Sequence, residues 1–116
     1  MKHILITIAA VLLVGCGPSI HDAAKTGNIE AVKQHLDTGT DVNVKDDEVG
    51  TPLHLAAVFS KEVTELLIAN GADVNAQDED GETPVDIAIM SNQPQTANLL
   101  RKHGGKTGEE LKAEGK

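Results

Sequence analysis

The chain has no tryptophan and no tyrosine, and its 116 residues include one phenylalanine, Phe59, and one cysteine, Cys16. A single cysteine excludes an internal disulfide. With aromatic residues at 1% against 40% hydrophobic, the apolar content is alanine, valine, isoleucine and leucine, which suits closely apposed helices better than a deep pocket. Basic residues are scarce too: 10 Lys and Arg against 18 Asp and Glu give a formal net charge of −8. Phosphates need Lys and Arg, so this balance argues against nucleic acid, and against anionic lipid met through a charged face. The parts of a catalytic centre are missing as well. Ser60 and Ser91 have no glycine-flanked elbow, and no two histidines have helical metal-ligand spacing. Asp78-Glu79-Asp80-Gly81 has the carboxylate density of a calcium loop. With Gly81 at its sixth position, however, the first and twelfth ligands would be Ala76 and Ile87, which carry no side-chain oxygen. No enzyme activity, no metal site and no cofactor is expected, and the length allows one small domain.

The N-terminus reads as an address. Met1-Lys2-His3 is positive, Ile4 to Val14 is almost wholly apolar, and Leu13-Val14-Gly15-Cys16 follows at once, the layout of a signal peptide. About eleven residues are too few to cross a hydrocarbon core about 30 Å thick. Leu13-Val14-Gly15-Cys16 resembles the lipobox of bacterial lipoproteins. The resemblance implies that residues 1–15 are a lipoprotein signal peptide and that the Cys16 thiol carries a diacylglyceryl group, with palmitate among its acyl chains, after cleavage before it. An ordinary cleaved signal with an incidental cysteine is the alternative. Several acyl chains supply anchoring that one cannot. Gly17 stands where the family's inner-membrane retention signal has Asp, which implies a bacterial cell envelope location, at the outer membrane rather than the inner. Residues 16–19 form a short tether of at most about 14 Å.

An internal repeat organises the rest. Gly39-Thr40-Asp41-Val42-Asn43 returns as Gly71-Ala72-Asp73-Val74-Asn75, and Thr51-Pro52-Leu53-His54 as Thr83-Pro84-Val85-Asp86, both at a shift of 32. Ile20-His21-Asp22-Ala23-Ala24 aligns with Leu53-His54-Leu55-Ala56-Ala57. A period near 33 with Thr-Pro-Leu-His-x-Ala is the ankyrin signature, and the chain resembles ankyrin-repeat proteins over about residues 19–105. The implied fold class is all-α: an ankyrin-repeat solenoid of about three helix-turn-helix units with β-turn tips, at about 20–49, 50–80 and 81–105.

Residue chemistry agrees. Thr51 and Thr83 suit N-caps, and Pro52 and Pro84 suit the first helical position, where no N–H is needed. Alanines 23, 24, 56, 57 and 88 keep the first helices thin. The second helices carry the bulk at helical spacing: Ile29, Val32 and Leu36; Val63, Leu66 and Leu67; Ala97, Leu99 and Leu100. Gly39, Gly71 and Gly104 follow them as left-handed caps. In unit one Pro18 and Ser19 stand in for the Thr-Pro pair, so its first helix is expected to lack the usual cap. Unit two is one residue short in the turn between its helices. The tail 106–116 is charged, with Thr107 and Glu110 at capping-box spacing. Either a short helix places Leu111 over the end of unit three, or the tail frays.

The resemblance also implies roles. His21 and His54 would hydrogen-bond within and between turns, a structural part shared with Thr51, Pro52, Thr83 and Pro84. Tips and the last turn of each first helix are where ankyrin proteins contact partners. Here these are Asp47, Glu48, Gly50, Glu79, Asp80 and Glu82 on the tips, and Lys25, Thr26, Val58, Phe59, Met90 and Ser91 on the helices. An acidic rim beside a small apolar strip would suit a basic protein with one apolar contact. Phe59 is the candidate anchor, unless it fills a gap left by the shortened turn. The expected function is a membrane-tethered protein-protein interaction module, binding an envelope protein as accessory or inhibitor. It would act as a monomer that meets the membrane through its lipid alone. The alternatives are a self-associating structural lipoprotein and a secreted effector acting on a host protein.

Overall fold

A computed structural model describes residues 19–115; the signal-peptide and Cys16 expectations concern residues outside that range. Seven helices are present among the described residues: α1 Ile20–Thr26, α2 Ile29–Asp37, α3 Pro52–Phe59, α4 Lys61–Ala69, α5 Pro84–Met90, α6 Pro94–Lys102 and α7 Gly108–Ala113. The first six pair into three helix-turn-helix units. The inner helices pack in order, α1 on α3 and α3 on α5, while the outer helices pack α2 on α4 and α4 on α6. The result is the expected all-helical solenoid.

Side-chain size explains the stacking. Ala23, Ala24, Ala56, Ala57 and Ala88 are buried where inner helices meet, and Val32, Leu53, Val63, Leu67, Val85 and Leu100 fill the space between layers. No unit could bury this surface alone, so the core exists only between neighbours. Each outer helix ends in the same two bonds around a left-handed glycine. Gly39, Gly71 and Gly104 have φ near +90°, and the amides of Thr40, Ala72 and Gly105 reach back to His35, Leu67 and Leu100. This satisfies carbonyls that the helix leaves open and turns the chain toward the next tip.

Two departures from the repeat have local causes. Unit one does have a cap: Ser19 Oγ accepts from the Asp22 amide at 3.1 Å, so α1 begins one residue later than a Thr-Pro pair would start it. The expectation of an uncapped first helix is corrected. In unit two the missing residue is the left-handed one. α1 is followed by Gly27 at φ 70° and α5 leads into Asn92 at φ 56°, whereas α3 runs on to Phe59 and meets Ser60 in extended geometry. Ser60 then serves as C-cap of α3 and N-cap of α4.

The tail forms a helix and docks rather than fraying. Thr107 Oγ1 accepts from the Glu110 amide at 3.1 Å while Glu110 Oε1 accepts from the Thr107 amide at 2.8 Å. That backbone hydrogen bond, with help from Arg101, holds the Glu110 carboxyl below its usual range. Leu111 is buried. Gly108 donates its N–H to Asp86 at 2.8 Å, and a Cβ there would lie 2.6 Å from the Gly81 carbonyl oxygen, so only glycine permits this approach.

Candidate functional site

Two ladders of side-chain hydrogen bonds set the positions of the tips. In the first, α1 and α3 each use a histidine in the first turn to reach backbone carbonyls beyond their own helix pair. His21 Nε2 bonds the Val44 and Gly50 carbonyls, both at 3.1 Å. His54 Nδ1 accepts from the Thr51 amide and hydroxyl, which leaves Nε2–H to donate to the Glu82 carbonyl at 2.8 Å. Burial pushes the His54 pKa below its ordinary 6.5, against the smaller opposing pull of the Glu82 carbonyl and Asp78. In unit three the same place holds Asp86, an acceptor. It takes the Thr83 amide at 3.0 Å and the tail's Gly108, while the Thr83 hydroxyl donates to the Lys106 carbonyl at 2.6 Å.

Asparagines form the second ladder, which the sequence reading quoted only as part of the repeat. Asn43 accepts from the Asp73 amide at 2.7 Å, and Asn75 accepts from the Lys106 amide at 2.8 Å and donates to the Gly104 carbonyl at 3.1 Å. Each bond joins residues about thirty apart, so the repeat itself was the only signal for it. Within the tips, Asp46 pairs with Gly50 through both backbone bonds, and Asp78 Oδ1 accepts from the Asp80 and Glu82 amides.

These bonds line up acidic tips beside the inner helices. Asp47, Glu48, Glu79 and Asp80 are exposed and Glu82 is half-buried. A groove of about 260 Å³ joins Glu48, Asp78, Asp80 and Glu82 to an apolar floor of Leu55, Val58 and Ile87. Next to it a larger one, about 550 Å³, runs from Asp80 and Glu82 past Met90 to Glu109 and Lys112 of the tail. Leu55, Ile87, Glu109 and Lys112 were absent from the candidate set. Carboxylate oxygens of Asp78, Asp80 and Glu82 lie within 4.8 Å of one another. Desolvation first, then the charges of Asp78, Asp80 and Asp86, push the Glu82 carboxyl above its usual range. The site is therefore an anionic rim over an apolar floor.

The sequence candidates divide. Val58 and Met90 line the grooves with the tip carboxylates, and Met90 is 60% exposed. Lys25 and Thr26 are exposed at the end of α1, and Ser91 is half-buried at the end of α5. Gly50 is buried at φ 82°, with space for a Cβ closed by His54 and Asp78, and it lines a small tip hollow of about 150 Å³ with Asp47 and Glu79. Thr51, Pro52, Thr83 and Pro84 are buried in the starts of α3 and α5. Phe59 fills no gap. It is 54% exposed at the end of α3, in a notch with Ser60, Lys61 and the start of α6 that shares Val58 with the acidic groove. Ile89, equally exposed on α5, was not foreseen.

Comparison with known proteins agrees with the repeat architecture. A family model described as ankyrin repeats (3 copies) matches residues 20–110. Over 46 residues the chain is 46% identical to protein phosphatase 1 regulatory subunit 12A of Mus musculus, and to the same extent to that of Rattus norvegicus. The aligned stretch is 40% of this chain and 4% of each of those proteins.

Proposed function

The chain belongs to the ankyrin-repeat family, and from that premise we propose that it is a protein-binding module held at a bacterial membrane by lipid on Cys16. Its partner is an envelope protein that presents a basic segment with an apolar side chain. The observation that carries the binding half is the pair of grooves that meet at Asp80 and Glu82, whose apolar residues Leu55, Val58, Ile87 and Met90 lie among carboxylates with a single lining lysine, Lys112. Opposite charge on a partner speeds encounter, while the desolvated apolar contact slows release. A regulatory subunit among the similar proteins fits a role as accessory or inhibitor of another protein. Support for the tether comes from Leu13-Val14-Gly15-Cys16 after an apolar run. End-to-end self-association has less support, because α7 covers the end of unit three.

Both halves are testable together. Mass spectrometry of the mature N-terminus from a bacterial membrane fraction should find Cys16 first, with added acyl mass. Capture from detergent-solubilised membranes should recover one partner with the wild-type chain and lose it with Asp80→Lys combined with Met90→Ala, both exposed positions. Capture unchanged by that pair would remove the groove from the proposal; an unmodified Cys16 would remove the tether and leave the binding surface standing.

A further inference from the structure

The lost residue in unit two leaves a mark at the C-terminal end of α3. Because α3 continues to Phe59 instead of ending on a left-handed residue, the α3–α4 junction is shorter than the junctions of units one and three. Between it and the start of α6 lies a notch of about 320 Å³. Its apolar walls are Val58, Phe59 and Pro94, and Phe59, the one phenylalanine of the chain, is 54% exposed there. An exposed aromatic in a concave setting that mixes apolar and polar groups resembles the anchors that dominate binding energy at interfaces.

Charge separates this notch from the tips. No carboxylate lines it; its charged residue is Lys61, accompanied by the side-chain amides of Gln93 and Gln95. Glu62, next in sequence, is not among the lining residues. The start of α6 adds to the positive character. Asn28 and Ser60 accept from first-turn amides of α2 and α4, whereas Gln93, at the equivalent place, makes no side-chain cap bond to α6. In a chain of net charge −8 this is a local exception that favours an anionic occupant.

We propose that the Phe59 notch is a second docking site, adjoining the acidic groove at Val58 but of opposite charge preference, for a segment of a partner protein that carries a carboxylate beside an apolar side chain. The apolar side chain lies against Phe59, Val58 and Pro94, and the carboxylate meets Lys61 and the amides at the start of α6.

The lone phenylalanine supplies the test. The full chain grown with 4-fluorophenylalanine gives one fluorine resonance, at Phe59. It is titrated in detergent with a hexapeptide alternating glutamate and leucine, and with its lysine-leucine counterpart. The proposal expects a saturable shift with the glutamate peptide alone. Lys61→Glu should weaken it about fivefold, the upper end for an exposed ion pair, and Asp80→Lys should leave it unchanged. No shift, an equal response to the lysine peptide, or a response lost with Asp80→Lys overturns the proposal. So does a shift that depends on protein concentration without peptide, which would place a second copy in the notch. Since the readout sits at Phe59 and the control at Asp80, failure here is distinct from failure of the groove reading.

Discussion

Removing the Asn75 side chain tests the view that the tips are held by bonds between units. In Asn75→Ala, the Lys106 amide loses an acceptor at 2.8 Å and the Gly104 carbonyl loses a donor at 3.1 Å. Each bond contributes about 1 kcal/mol net, so the cost should be about 2 kcal/mol. Asn43→Ala makes a built-in comparison. Its bond to the Asp73 amide is short, at 2.7 Å, but its contact with the Gly71 carbonyl is 3.5 Å, too long to count for much. That substitution should cost about 1 kcal/mol. For a domain of this size the melting temperature should fall by about 10 °C in the first case and about 5 °C in the second. Urea denaturation at constant m-value gives the free energies directly. Hydrogen exchange adds a local readout, since the Lys106 amide should lose protection in Asn75→Ala. Equal costs, a reversed order, or losses below about 0.5 kcal/mol for both would refute the reasoning, and would mean that apolar stacking alone positions the tips.

Other expectations follow from the same structure. Gly50→Ala forces a Cβ to 2.9 Å from His54 Nδ1 at φ 82°, whereas Gly39→Ala meets open space at φ 91°; the first should cost about 3 kcal/mol and the second about 1, measured by urea denaturation. Gly108→Ala and Leu111→Ala should each cost about 2 kcal/mol by undocking the same helix, and their double variant should fall well short of the sum. His54 binds its proton more weakly folded than unfolded. Its neutral form therefore contributes stability that is full above about pH 6.5, fades as pH falls through the lowered folded value, and is absent from His54→Gln. Stability curves of the two chains between pH 5 and 8 should diverge toward neutrality and approach each other in acid.

Much of the fold could be read from the chain because the repeat carries its own punctuation. Threonine before proline starts α3 and α5, and glycine ends each outer helix, since these residues act through local backbone geometry. The Thr107–Glu110 spacing announced α7 for the same reason. Leu111 over the end of unit three was one of its two readings, but the Gly108 contacts were not legible, because Asp86 and Gly81 meet Gly108 only once unit three is folded. Asn43 and Asn75 stood in the repeat without a visible task, as their partners lie about thirty residues away. For the surface, sequence placed Val58, Met90 and the tip carboxylates together, but it grouped Phe59 with them. The deleted residue changes where α3 ends, and Phe59 lines a notch that adjoins the groove at Val58. Gly50 shows a similar limit: its position in a tip was clear, its burial against His54 was not.

The most direct test of the account is photo-crosslinking in intact bacteria that express the full chain, with a photoreactive residue at Met90 and, as a control, at Asn98, which is exposed on the outer helix α6. The account predicts a discrete adduct with one envelope protein from position 90 and none from position 98. An adduct from position 98 alone, or the same diffuse products from both, would contradict it.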